Sequence, residues 1–361
     1  MNAKSIITTF GLISLFTLTT SYVNKRTIDE YHLRSGINLT CFVKQEFSSS
    51  EKKAIDRIVN NGFSTIVLNP IYNQETIHSS KIEQQSAFDN SHLEDIIDYA
   101  QGRGLDVVLK PLINVKSKES RTIIMPDDVD EWFKSYNSIM FNLAKIGEKH
   151  SIYGMIMMCE LDSLLINNSE KFKETIYHIK ETGFNGKLSA AVVYYDETCN
   201  NKIEFLNTLQ TDFIGVDFYV SMINDRLSKE EKFYEVLYHL ENIQSIANKP
   251  LLIAEVGFRS VEKGNRRPMY NYKLKGKLDL ELQRESYKNF IRAYTNKSLN
   301  RNKLEGIFFW ITDSYLYTED ILNIPVRFSV PWEIGYTPFN KPAEEVMKKF
   351  NKERVWLKYD K

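Results

Sequence analysis

The chain has 361 residues, 42% hydrophobic and 26% charged, a globular mixture that excludes a disordered or collagen-like protein. Lys+Arg and Asp+Glu both number 47, so the net charge is zero and the basic excess typical of a nucleic-acid binder is missing. Three cysteines (Cys41, Cys159, Cys199) exclude a disulfide framework, and six scattered histidines offer no metal-ligand spacing, so neither a metal nor another cofactor is expected.

Lys4 precedes an apolar run over 6–18, and Lys25 and Arg26 follow it. A basic start before a short apolar run has the shape of a secretory signal peptide, with Thr19 and Ser21 as small residues for cleavage. The run is shorter than the ~20 residues of a membrane span. An uncleaved signal anchor is the alternative. We therefore expect 1–26 to be a signal peptide or anchor and 27–361 to be a single secreted or cell-surface domain. Any membrane contact would come through the N-terminal segment alone.

Strand-like and helix-like stretches then alternate. The first strand, 36–43, is followed by a helix over 51–61, and the second, 65–69, by one over 92–103. Strand 106–113 leads to helix 129–150, strand 153–159 to helix 169–182, and strand 188–193 to helix 203–210. The last three pairs are 213–219 with 229–248, 251–256 with 280–298, and 306–311 with 341–351. Several strands lack polar alternation, as expected where both faces are covered. Eight strands alternating with eight helices place the chain in the α/β class and predict a closed (β/α)8 TIM barrel. A doubly wound open sheet is disfavoured, because no glycine-rich phosphate loop follows the first strand. Gly102-Arg103-Gly104 stands at a helix end, where capping explains it. The long connections after strands two, three, seven and eight fall on the face where barrels build active sites.

Strand four ends in Cys159-Glu160 and strand seven in Ala254-Glu255. A carboxylate at the end of an apolar strand is partly desolvated and must be used or paired. Two of them fit glycosidic bond cleavage, one as proton donor and the other as the group that attacks the anomeric carbon. Tyr219 and Trp310, at the ends of strands six and eight, are candidate walls for a sugar ring, or else core. Asn38, Asn69, Lys110 and Asn114, at the ends of the first three strands, either donate to sugar hydroxyls or satisfy the barrel itself. Arg259 either holds Glu255 ionised or makes a loop salt bridge. Cys159 reads as a buried small hydrophobe, since no histidine is placed to activate it.

These residues resemble glycoside hydrolase family 113, within the large clan of retaining barrel glycosidases, and the likeness runs from about Gly36 to Phe350. Lys110-Pro111-Leu112-Ile113-Asn114-Val115 is similar to the family's Lys-Pro-His-Ile-Asp-Val segment. Trp132-Phe133 with Ser135-Tyr136 resembles its third helix. Cys159-Glu160-Leu161 stands where the family has Thr-Glu-Leu, and implies Glu160 as acid/base. The segment from Asp212 to Tyr219 resembles its strand six and implies a substrate role for Tyr219. Ala254-Glu255-Val256-Gly257-Phe258-Arg259-Ser260 resembles its Glu-Ile-Gly-Tyr-Arg-Ser and implies Glu255 as nucleophile. Gly306-Ile307-Phe308-Phe309-Trp310 resembles strand eight, and Lys341-Pro342-Ala343 the start of the last helix. Arg121 aligns with a family arginine, in Ser120-Arg121-Thr122 where the family has Trp-Arg-Gly. Val193-Tyr194 replaces an Asn-Trp, and Tyr195 beside it is a further candidate sugar contact.

The resemblance implies a retaining hydrolase of a β-linked glycan, β-mannanase-like, acting on an oligosaccharide or polysaccharide. Two rivals remain: a non-catalytic glycan-binding barrel, and a transglycosylase that remodels a cell-envelope polysaccharide through the same covalent intermediate.

Overall fold

In a computed structural model, which describes residues 31–40, 47–84, 90–221, 229–266, 268, 276–313, 335–353 and 355–356, eight of the apolar runs become parallel strands. They are β1 (Arg34–Thr40), β2 (Thr65–Leu68), β3 (Asp106–Leu109), β4 (Gly154–Cys159), β5 (Lys187–Tyr194), β6 (Phe213–Phe218), β7 (Leu251–Val256) and β8 (Leu304–Asp313). Each pairs with its neighbour in sequence, and β8 pairs with β1, which closes the barrel. Every residue of β2, β4, β6 and β7 is buried, so these strands need no polar alternation. Val67, Val108, Ile156, Ala191, Phe213, Leu252 and Phe308, one from each of seven strands, belong to one buried cluster.

The helices are α1 (Ser49–Asn60), α2 (Asn90–Gly102), α3 (Val129–Lys149), α4 (Ser169–Glu181), α5 (Asn200–Thr208), α6 (Lys229–Ile246), α7 (Leu280–Tyr294) and α8 (Pro342–Glu353). Their starts follow capping chemistry. Ser48 and Glu51 form a capping box at α1, while Asp128 and Asp279 accept from the third backbone N–H of α3 and α7. The aromatic surplus goes largely into packing: Trp132, Tyr136, Tyr194, Tyr287, Tyr294 and Phe172 are fully buried. Trp132 stacks on Tyr136 with ring centroids 4.9 Å apart. Leu33–Glu353 forms one compact unit. In the other, Tyr31–His32 pairs antiparallel with Val355–Trp356. The expected signal or anchor segment lies outside the described residues, as does Cys41. Among the described residues no helix is long and apolar enough to cross a membrane.

One expected strand divides. The run 106–113 is β3 followed, past Lys110-Pro111, by a separate strand Leu112–Val115. β2 also stops short of a proline, at Asn69-Pro70, and chain resumes as Ile71–Gln74. A proline has no N–H for the ladder, so both strands leave the barrel at the same level. The two continuations pair parallel, Ile71 opposite Leu112 through Gln74 opposite Val115. Glu83–Gln84 adds an antiparallel edge. This small second sheet stands on the C-terminal side of β2 and β3. A short helix, Asp162–Asn167, absent from the sequence reading, follows β4 directly.

Candidate active site

Barrel closure gathers the C-terminal ends of β3, β4, β6 and β7. Asp217 on β6 and Glu255 on β7 are register partners, next to a bulge between Val216 and Asp217. Lys110, the first residue after β3, reaches across to both: Nζ donates to Asp217 Oδ1 at 3.1 Å and to Glu255 Oε1. Tyr219, just past β6, donates its hydroxyl to Glu255 Oε2 at 2.6 Å. Both oxygens of Glu255 therefore carry a donor. The Cys159 thiol at the end of β4 lies 3.6 Å from Asp217 Oδ2 and 3.9 Å from Glu255 Oε1.

Glu160 follows in the left-handed backbone region, φ +55°, its N–H donating to Ala191 O at 3.0 Å. Non-glycine residues seldom adopt that conformation, and where they do it re-aims a side chain at some cost. The Glu160 carboxylate is 3.8 Å from Arg121 Nε. Arg121 sits on the 3-10 turn Arg121–Ile123, donates from Nη2 to Asn114 Oδ1 at 2.9 Å, and approaches Cys159 Sγ at 3.7 Å.

The two sides of the site differ electrostatically. Burial, and after it the negative charge of Glu255, push the Glu160 carboxyl up to about 7, with Arg121 and Lys110 opposing. Glu160 thus keeps a proton to a pH where an ordinary glutamate has lost it. Burial and Glu255 likewise hold Asp217 well above its ordinary value. Burial pushes up the Cys159 thiol and the Tyr219 hydroxyl, so both remain donors. Burial by itself would lower Lys110, but Asp217, Cys159 and Glu255 outweigh it and keep the ammonium charged.

Cys159, Asp217 and Glu255 bring three ligand-type atoms within 4.8 Å of one another. The ammonium of Lys110 already supplies these carboxyls with the positive charge that a metal ion would bring.

The expected residues fall into three groups. Glu160, Glu255, Lys110, Arg121, Asn114 and Tyr219 form one connected cluster. Lys110, however, is fully buried and engaged by carboxylates, so it acts on Glu255 rather than on a sugar hydroxyl. Asn38 and Asn69 brace the barrel. Asn38 Nδ2 donates to Ala254 O and Phe309 O, each at 3.2 Å, and Asn69 Nδ2 to Asn38 Oδ1 and Lys110 O, each at 3.2 Å. Both side chains are fully buried, so their donors are spent inside the barrel. Trp310 is partly exposed and packs on the cluster of Val193, Tyr219, Ile311 and Tyr336, with Lys110 Nζ 5.9 Å from its ring centroid. Arg259 is buried beside Tyr336, and the donors that hold Glu255 are Lys110 and Tyr219 in its place. Tyr195 is 40% exposed, its ring 5.3 Å from Lys202 Nζ.

Two members escape the sequence reading. Asp217 is a lone acid in the apolar run 213–219, and that isolation is the signal that marks it. Tyr336 follows a long connection with no periodic pattern, and no local signal points to it.

The family model described as Glycoside Hydrolase Family 113 matches residues 41–329. A search among curated protein sequences finds no match. Among solved structures, one titled as a GH113 β-1,4-mannanase is 23% identical with a TM-score of 0.74, covering 90% of this chain and 100% of that one. A complex structure under the same enzyme description is 22% identical with a TM-score of 0.72, at the same coverages. The β-mannanase AaManA from Alicyclobacillus acidocaldarius, solved in complex with ManMIm, is 18% identical with a TM-score of 0.73, covering 91% of this chain and 99% of that one. These likenesses show the barrel fold.

Proposed function

The chain belongs to glycoside hydrolase family 113 and is a retaining glycoside hydrolase, and from that premise we propose that it cleaves a β-1,4-linked mannan internally, with Glu255 as nucleophile and Glu160 as acid/base. Glu255 attacks the anomeric carbon while Glu160 passes its proton to the leaving oxygen. A glycosyl-enzyme ester forms on Glu255. Glu160, now ionised, takes a proton from water, and that water hydrolyses the ester with overall retention. The observation that carries this reading is the asymmetry of the two carboxyls. Glu160 holds its proton to about pH 7, while Glu255 accepts from Tyr219 and Lys110 on its two oxygens. An acid that keeps its proton beside a carboxylate held by donors is what double displacement requires.

Support for mannan comes from the β-mannanase descriptions of the similar structures. Arg121 and Asn114, on the Glu160 side, are the proposed contacts for sugar hydroxyls, with Trp310 and Tyr195 as ring surfaces. The basic start and apolar run at 4–18 support action outside the cytoplasm, secreted or held at the cell surface.

The test is release of reducing sugar from mannan, glucomannan, cellulose and xylan by the protein and by its Glu160→Gln and Glu255→Gln variants. The expected result is internal cleavage of mannan, lost in both variants. Oligosaccharide binding without product in the wild-type protein would favour a glycan-binding barrel. Products longer than the starting oligosaccharide would favour glycosyl transfer.

A further inference from the structure

Double displacement uses Glu160 and Glu255, with Lys110 as a donor to Glu255, and gives no task to Asp217, fully buried beside them. Asp217 is the register partner of Glu255, and one ammonium, Lys110 Nζ, bonds to both carboxyls. The second Asp217 oxygen faces the Cys159 thiol at 3.6 Å. With a donor on each oxygen, Asp217 is fitted to carry a negative charge. The charged groups around it are Lys110, Glu255, Glu160 and Arg121, and Arg121 is directed at Glu160, 3.8 Å away. Lys110 is thus the cation for two carboxyls.

The reaction changes that arrangement. As Glu255 bonds to C1, the glycosidic C–O bond breaks, the Glu160 proton goes to the leaving oxygen, and Glu255 becomes a neutral ester. Lys110 loses one counter-ion. A buried ammonium with no counter-ion is strongly disfavoured. Resting on the double-displacement reading, we propose that Asp217 is a positioning residue that becomes the one carboxylate bonded to Lys110 in the glycosyl-enzyme, so that the buried ammonium keeps a contacting counter-ion through both half-reactions. The direction of its titration agrees. Burial and then Glu255 hold the Asp217 carboxyl up, and Glu160 contributes less; esterification removes the larger of the two charges as Glu160 takes up the smaller, which favours ionisation of Asp217.

The probe is 2-deoxy-2-fluoro-β-mannobiosyl fluoride, which esterifies Glu255 with departure of fluoride and without help from Glu160. Intact mass spectrometry follows labelling and then loss of the label in water. In Asp217→Asn the ester leaves Lys110 unpaired, so labelling slows and loss of the label accelerates, each by about tenfold or more. A merely structural role would slow both steps. Slowing of both, or no change in either, overturns the inference. Should Asp217→Asn not fold, Lys110→Met/Asp217→Asn removes both charges together. With no buried ammonium left to balance and one donor to Glu255 gone, its label is expected to be lost no faster than in the wild-type protein, and acceleration in this double variant would overturn Lys110 as the origin of the effect. Peptide mapping separates the two levels. A wild-type label anywhere but Glu255, or none, overturns the nucleophile assignment and the inference with it. A label on Glu255 with unaltered kinetics in Asp217→Asn overturns the inference alone.

Discussion

Replacing Glu160 with glutamine is expected to abolish turnover and at the same time to stabilise the fold at alkaline pH. The Glu160 carboxyl is raised from 4.5 to about 7, first by burial and then by Glu255, and Arg121 at 3.8 Å offsets only part of this. Because the folded value lies above the unfolded one, the folded state binds the proton more tightly. That contribution is complete below pH 4.5 and is lost as pH rises through about 7. Each pH unit between the two values corresponds to about 1.4 kcal/mol, so ionising Glu160 in the folded protein costs up to about 3 kcal/mol. Glutamine has nearly the same shape and never ionises. Wild-type and Glu160→Gln proteins should therefore be equally stable near pH 4.5, and the variant should gain up to about 3 kcal/mol by pH 8. Urea denaturation at pH 5, 6.5 and 8 measures the difference directly. A gap that fails to widen with pH would refute the reasoning. So would a variant less stable than wild type at pH 8, since Glu160 would then be favoured as an anion.

Three further outcomes follow from the same geometry. In Glu255→Gln the charge that is the second cause of the Glu160 elevation is gone, so the Glu160 carboxyl should titrate below about 7 by carbon-13 NMR, with turnover reduced by roughly 10⁴-fold or more. In Tyr219→Phe, Glu255 loses its 2.6 Å donor, and kcat/KM should fall by about 10- to 100-fold, the range for a hydrogen bond to a charged group, with the melting temperature little changed. A methyl group on Gly215 would meet the Ala190 carbonyl oxygen at 2.6 Å. Gly215→Ala should therefore displace β6 just ahead of Asp217, lower stability by about 1–3 kcal/mol in a denaturant titration, and slow turnover as well.

The barrel was legible because its strands are short apolar runs of even spacing, and strands buried on both faces leave that mark directly. The proline after Asn69 fell at the end of the expected second strand, but the one after Lys110 was read through, and what lies beyond either was not legible. A sheet between two excursions depends on their coming together, which no local pattern records. The glutamates at 160 and 255 stood out because each ends an apolar strand. Lys110 and Tyr219 were candidates as well, but neither Asp217 nor their pairing with Glu255 was legible. Lys110 is 145 residues away in sequence and meets it only because the barrel closes. Asp217 is its partner only through the β6–β7 register. Asn38, Asn69 and Arg259 were ambiguous for the opposite reason. A polar side chain at a strand end serves the substrate or the scaffold according to where its hydrogen bonds go, and for the two asparagines they go to backbone carbonyls and to each other.

The second sheet beyond the two prolines has a consequence for how specificity evolves. Asn73 pairs with Asn114 in its register, Trp132 donates to Gln74 Oε1 at 3.0 Å, and the segments that follow are joined by Met125 N to Ile77 O and Asp127 N to His78 O. The excursions after β2 and β3 are therefore cross-linked, and Arg121 and Asn114 are carried on a rigid shelf. Little ordering entropy remains to be lost there when a ligand binds. The same rigidity means that an insertion in either excursion would disturb a hydrogen-bonded register on both. A change in one excursion is therefore felt in the other, and the Arg121 side of the cleft can be reshaped only by changing both together.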